Sequence, residues 1–113
     1  MELWQELEQK IKELDVSVKN LRISGANYAK AYRNYRMLLS KELLMLRDEG
    51  VPATTAYDIA RGNEKVANAK FDEICMEAVY KANQESINAI KVEIKILQEQ
   101  QKQDWGMAGK GEY

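Results

Sequence analysis

Apolar residues recur at steps of three and four along the first part of the chain, from Trp4 to Leu39. This spacing is the heptad pattern of a helix that packs along one seam against a partner. Gly50 and Pro52 should stop the helix, because glycine suits a C-terminal cap and proline disfavours helix in the residue before it. The sequence therefore predicts a first helix over about 2–48. The seam contains Trp4, Leu7, Ile11, Leu14, Val18, Leu21, Gly25, Tyr28, Tyr32, Tyr35 and Leu39.

A second seam begins near Met76 and has the same spacing, which predicts a second long helix over about 64–104. Between the two helices, Thr55 and Asp58 have the spacing of a helix N-terminus, so residues 55–61 should form a short connecting helix within a turn at about 50–62. The glycine-containing segment 105–113 is predicted to be a flexible tail. Residues 1–104 should then be a single domain. The second seam contains Met76, Tyr80, Asn83, Ile87, Ile90, Ile94 and Leu97.

Two long helices joined by a bend predict an all-α fold, a long, coiled-coil-like antiparallel helical hairpin with a short connecting helix. In the simplest register, residues whose numbers add to about 112 lie opposite each other. Gly25 would then face Ile87, and Trp4 would meet Trp105 at the open end. Tyr28, Tyr32 and Tyr35 would lie beside Gln84, Tyr80 and Glu77.

The two helices carry more apolar residues than one shared seam can bury. Leaving several such side chains in water forfeits several kcal/mol at ~25 cal/mol per Å² of apolar area, so we expect a homodimer or higher oligomer that forms a helical bundle. Asn83 and Glu42 occupy seam positions, where they either fix register or mark a break in the seam. The surplus apolar residues are Leu38, Leu44, Met45, Ile74, Cys75, Val79, Ala82, Ala89 and Ile96.

The composition argues against an enzyme and against several kinds of site. The chain has no histidine, which removes Ser-His and Cys-His catalytic pairs and imidazole metal ligands. Its single cysteine, Cys75, is expected to be a buried structural thiol, and no cofactor motif is present. Glu73 and Glu77 could face a metal, but they lack the Glu-x-x-His partner of a di-metal bundle, so we expect no metal site.

The expected location is a reducing cytosol, the cytoplasm of a host cell. One cysteine allows no internal disulfide, the first residues resemble no signal peptide, and no apolar run is long enough to cross a membrane. The net charge of -1 indicates no general attraction to nucleic acid or to an anionic membrane surface.

Charge is nevertheless segregated within the first helix. From Val16 to Lys41 there are six basic residues and no acidic one. At 100° per residue the six share an arc of about 140°. Arginine and lysine bind phosphates, and tyrosine rings stack on bases, so this stretch is a candidate ligand-binding site. The six cations are Lys19, Arg22, Lys30, Arg33, Arg36 and Lys41, and the candidate ligand-binding residues are Lys30, Arg33, Arg36, Tyr28 and Tyr32.

The alternative is that this stretch is either a solvated face or one bridged to the other helix, because Asp72, Glu73 and Glu77 would lie opposite Arg33 and Arg36 in the predicted register. A second open question concerns the loop over 50–63, whose apolar residues either bind another protein or cap the end of the bundle.

The segments 1–11 and 79–91 contain the text MELWQELEQKI and VYKANQESINAIK. With the bend between them, the chain resembles the small, mostly uncharacterised helical proteins encoded in early-gene regions of phages and prophages of Gram-positive bacteria. The resemblance implies a protein that acts by binding, either on host defence or on replication and recombination machinery. With the absence of catalytic groups, the surplus apolar residues and the cations bordered by tyrosines, the leading hypothesis is a non-enzymatic binding protein that acts in counter-defence, by inhibiting a host defence protein or by sequestering a nucleotide signal. The alternatives are an accessory of phage DNA replication or recombination that binds single-stranded DNA or a replication protein, and a purely structural coiled-coil module.

Overall fold

The computed structural model describes residues 2–111, with side chains over 2–106. The described chain is all-helical and contains three helices, with no strand among its residues. They are α1 (Leu3–Asp48), α2 (Ala53–Gly62) and α3 (Glu64–Gly111). The all-α class and the bounds of α1 agree with the sequence, whereas α2 begins two residues before the predicted position.

The helix ends follow from their local sequence. Gly50 has a φ of 88°, which glycine adopts without strain, and the amide of Val51 donates to the carbonyl of Leu46 at 3.1 Å. At the start of α3, Oδ1 of Asn63 accepts hydrogen bonds from the amides of Lys65 and Val66, as expected of a cap. The helix continues to Gly111, into the segment expected to be a tail. Residues 112–113 lie outside the described chain, and the flexibility of 105–113 stays a prediction.

The chain divides into two compact units. The central unit is Ile23–Lys81, and the terminal unit contains the segments before and after it. In the central unit, α1 and α3 run antiparallel, because Tyr28 contacts Glu77 whereas Tyr35, further along α1, contacts Lys70. This pairing agrees with a helical hairpin.

The core of the central unit is a cluster that draws on all three helices. It consists of Tyr35 and Leu39 from α1, Ala60 from α2, and Val66 and Ala69 from α3. Leu38, Leu43 and Leu46 pack against it. Ala56 and Ala60 are fully buried, which shows that α2 packs closely through a small-residue face.

The predicted register is wrong. Instead of facing Ile87, Gly25 lies under Tyr80, where an added Cβ would be 3.2 Å from Cε2 of the ring. Numbers of residues in contact add to 105 for Gly25 with Tyr80 and for Tyr35 with Lys70, not to about 112. The physical reason is that α2 packs at the end of α1, as the contacts of Leu43 and Leu46 with the core cluster indicate.

Tyr35 and Leu39 are buried as the predicted seam requires, but two other parts of the inward face of α1 differ in phase from that seam. Ser24, 5% exposed, is buried rather than its neighbour Gly25, which is half-buried. Likewise Ala31 is half-buried while Tyr32 is 46% exposed. The ring of Tyr80 lies against Gly25, and its centre is 6.0 Å from the centre of the Tyr28 ring. Because Gly25 has no side chain, it leaves room for the Tyr80 ring.

In the terminal unit, α1 and α3 are joined by polar contacts beside an apolar seam. Ile87 and Ile90 are buried, and Nζ of Lys10 lies 2.6 Å from Oε2 of Glu93. Asn83 donates to the carbonyl of Asn20 at 3.4 Å, as expected of a polar seam residue that fixes register.

At the outer end of this unit, Trp4 and Trp105 do not meet as the predicted register required. Trp4 is 56% exposed and Trp105 is 74% exposed. The residue numbers of Lys10 and Glu93, and of Asn20 and Asn83, add to 103. This register places Trp4 level with Glu99, about 1.7 helical turns before Trp105.

Candidate functional site

The cations of the central unit lie on the outer side of α1. We call Lys30, Arg33, Arg36 and Lys41 the basic face, and all four are exposed. At 100° per residue they are about 100–160° around the helix from the buried Tyr35. The other two cations, Lys19 and Arg22, are exposed in the terminal unit.

Two of the three carboxylates that could have neutralised these cations, Glu73 and Glu77, have other partners. Oε2 of Glu73 lies 2.7 Å from Nζ of Lys70, and Oε1 of Glu77 lies 2.7 Å from Nζ of Lys81. Asp72 is exposed. Among the side chains over 2–106, none of the six cations lies within salt-bridge distance of a carboxylate. The basic face therefore presents uncompensated positive charge to solvent.

Tyr28 is turned away from this face. Its hydroxyl donates to Oε2 of Glu77 at 3.4 Å, and its ring is tilted by 35° against the ring of Tyr80. Desolvation, followed by the charge of Glu77, raises the pKa of the Tyr28 hydroxyl. The structure thus brings Lys30, Arg33 and Arg36 onto one side of α1 and turns Tyr28 toward α3, about 140–160° from Arg33 and Lys30 and about 80° from Arg36.

Tyr32 lies at the border of the basic face. Its side chain is 46% exposed, and at 100° per residue it is about 40° from Arg36. Of the two tyrosines predicted to line the ligand site, Tyr32 alone is accessible beside the cations.

A polar cluster lies between α1 and α3 in the central unit. The side chain of Glu73 is 6% exposed, and Lys70, its ion-pair partner, has Nζ 4.7 Å from the centre of the Tyr35 ring. The hydrogen bond to Glu73 raises the pKa of Lys70. The hydrogen bond from Lys81 lowers the pKa of Glu77. The lowered pKa of Glu77 favours its anionic form beside Lys81.

Replacing Glu77 with glutamine is expected to make stability less sensitive to acid. Folding lowers the pKa of Glu77 below its usual 4.5, so the stabilisation is present above that value and is lost as pH falls through the lowered pKa. Thermal unfolding between pH 2 and pH 7 measures the change. Glu85→Gln, at an exposed position, is the control. Equal acid sensitivity of wild type and Glu77→Gln would contradict this account.

Apolar side chains accompany the cations and also cover the outer side of α3. On α1, Ile23, Met37 and Leu44 are 60%, 65% and 67% exposed. On α3 we call Phe71, Ile74, Cys75, Ala78 and Val79 the apolar face. Phe71 and Ile74 are 66% and 54% exposed, and Val79 is 47% exposed. Cys75 is half-buried rather than buried as expected.

Sequence reasoning missed a second group of cations and rings, at the junction of α2 and α3. The guanidinium carbon of Arg61 lies 5.6 Å from the centre of the Tyr57 ring, and both residues line a cavity together with Lys70. The sequence contained one indication of this group. Tyr57 and Arg61 are four residues apart in the predicted connecting helix, a spacing that places their side chains next to each other.

Within residues 2–111 no group of three or more His, Cys, Asp or Glu side chains could hold a metal ion. None of the helices over the same residues is both long and apolar enough to cross a membrane. Comparison of the chain with protein-family models, with curated proteins and with solved structures finds no match.

Proposed function

We propose that this is a non-enzymatic helical binding protein whose basic face binds an acidic surface of another protein. The observation that carries the proposal is the uncompensated charge of Lys30, Arg33 and Arg36, whose predicted partners Glu73 and Glu77 pair with lysines of their own helix. Exposed like charges on one helix face repel each other, and an acidic partner relieves that repulsion.

A protein partner fits this face better than a small nucleotide does. Ligand sites for small molecules are concave, whereas these cations stand on the outer side of a helix. The stacking residue Tyr28 is held by Glu77 and Tyr80, so it is not available to a base beside Lys30. A nucleotide signal bound at this face therefore lacks support from the geometry.

A protein partner also fits better than single-stranded DNA. The apolar side chains Ile23, Met37 and Leu44 are more than half exposed among the cations. Methionine and arginine are enriched at protein interfaces. Proteins that bind single-stranded DNA stack successive bases on several aromatic rings along a groove. The basic face offers only the ring of Tyr32, which lies at its border.

The resemblance to early phage proteins supplies a context for the partner. An early phage protein with no catalytic group acts most simply by occupying a host protein. We therefore propose counter-defence in the host cytoplasm, with an acidic host defence protein as the target. DNA replication or recombination is the second candidate, favoured by the same cations.

Self-association is the other part of the proposal, and it uses the apolar face of α3. Phe71, Ile74 and Val79 expose about half or more of their side chains. None of the five residues of the apolar face is charged. This face therefore does not attract the acidic protein that we propose as the partner of the basic face. In an antiparallel pair of α3 helices, Cys75 and Ala78 alternate across the axis, and the small side chains let the helices approach closely. A second copy of the chain is thus the occupant that we propose.

Capture followed by titration across salt separates the candidates. Immobilised protein is exposed to nuclease-treated lysate of a Gram-positive bacterium, and the retained protein is identified and purified. Its binding, and that of a labelled single-stranded DNA, is then measured from 50 mM to 500 mM salt. We expect the protein partner to bind more tightly than DNA throughout. Tighter binding of DNA, with a steep salt slope, would favour the replication accessory and overturn the protein partner.

A further inference from the structure

We propose that a cavity at the junction of α2 and α3 binds a nucleoside monophosphate. The cavity belongs to the central unit and has a volume of about 560 Å³, within the usual range for small-molecule sites. Its lining includes Tyr57, Asp58 and Arg61 from α2. Val66 and Lys70 line it from α3, and Tyr35 lines it from α1. The site shares no residue with the basic face and stands independently of the proposed function.

Packing of α2 fixes the positions of the polar lining residues. Ala56 and Ala60 are fully buried, so the neighbouring Tyr57, Asp58 and Arg61 remain exposed on the other sides of this short helix. Val66 is 2% exposed and supplies an apolar wall. The cap formed by Asn63 holds the start of α3 in place beside it.

Two cationic side chains that line the cavity lie over aromatic rings. The guanidinium of Arg61 lies 5.6 Å from the centre of the Tyr57 ring, and Nζ of Lys70 lies 4.7 Å from that of Tyr35. Glu73 compensates the charge of Lys70 at 2.7 Å. Arg61 has no carboxylate within salt-bridge distance among the side chains over 2–106. Arg61 is therefore the principal anion-binding group, with a planar fork suited to two phosphate oxygens.

The remaining lining residues match the other parts of a nucleotide. The Tyr57 ring is 43% exposed and provides a surface on which a base stacks. The carboxylate of Asp58 accepts hydrogen bonds from ribose hydroxyls. Because Asp58 also repels additional phosphates, the lining favours a monophosphate over a triphosphate.

The test is calorimetry on the full chain with the four ribonucleoside 5′-monophosphates, adenosine, adenosine triphosphate and inorganic phosphate. We expect at least one monophosphate to bind with an affinity at least tenfold higher than that of adenosine, of adenosine triphosphate or of inorganic phosphate. Arg61→Ala should weaken that binding at least tenfold, and Tyr57→Ala severalfold. Arg22→Ala, which removes an exposed arginine outside both the cavity and the basic face, should leave it unchanged.

Far-UV circular dichroism checks that the variants fold, and each position is exposed in the structure. Absence of heat with all four monophosphates at millimolar concentration would overturn the proposal. So would equal binding of inorganic phosphate, which indicates a simple anion site. Equal losses for Arg61→Ala and Arg22→Ala would also overturn it, because they indicate attraction by net charge alone.

Discussion

Replacing Leu39 with alanine is expected to lower the free energy of unfolding by about 2–5 kcal/mol. Leu39 is 4% exposed and lies in the cluster where all three helices meet. The substitution removes buried methyl groups and leaves a cavity that the surrounding helices fill incompletely. Chemical denaturation monitored by circular dichroism at 222 nm measures the effect.

Leu44→Ala is the matched control, because it makes the same chemical change on the same helix. Leu44 is 67% exposed, so its truncation should change the unfolding free energy by no more than about 0.5 kcal/mol. Comparable losses of unfolding free energy in both variants would show that the core cluster does not stabilise the central unit.

Replacing Phe71 with glutamate is expected to dissociate the protein into monomers. Phe71 is the largest side chain of the apolar face and is 66% exposed in a single chain. Self-association would bury an unpaired carboxylate in each copy, which should raise the dissociation constant about tenfold or more. Light scattering after size-exclusion chromatography, over a range of protein concentrations, gives the mass directly.

Met37→Glu provides the comparison for this experiment. Met37 is 65% exposed but lies on α1, outside the apolar face, so the variant should keep the mass of the wild type. A monomeric wild type at micromolar concentration would refute self-association. Loss of assembly in Met37→Glu but not in Phe71→Glu would assign the interface to α1 instead.

The helices could be predicted because their signals are local. The period of the apolar residues marks the two long helices, and the stop at Gly50 and Pro52 depends on backbone preferences of those residues. Asn63 could be predicted as a cap for the same reason. The exposure of Lys30, Arg33 and Arg36 also follows from the period, since residues opposite an apolar seam face water.

The register could not be predicted because it depends on contacts between segments distant in sequence. Alternative registers of two heptad helices present similar patterns to each other. The observed register is accompanied by packing of α2 with the end of α1 and by the contact of Tyr80 with Gly25. The same shift explains why Tyr28 meets Glu77 rather than Gln84.

The candidate sites were predictable in part. The positive stretch on α1 was visible in the sequence, and so were the partners of Glu73 and Glu77, because Lys70 and Lys81 lie three and four residues from them on the same helix. The cavity beside Arg61 was not predictable, because Tyr35 and Lys70 come to it from two other helices. Such a site exists only after the register is set.

The proposed role of the basic face is tested most directly by titrating the captured protein partner with two variants of equal net charge. One reverses Lys30, Arg33 and Arg36 to glutamate, and the other reverses three exposed lysines of α3 in the same way. Those control lysines are Lys91, Lys95 and Lys102. We predict that reversal on the basic face weakens binding at least a hundredfold while the control variant binds like the wild type. Equal affinity of the wild type and both variants would contradict the assignment of the basic face as the binding surface.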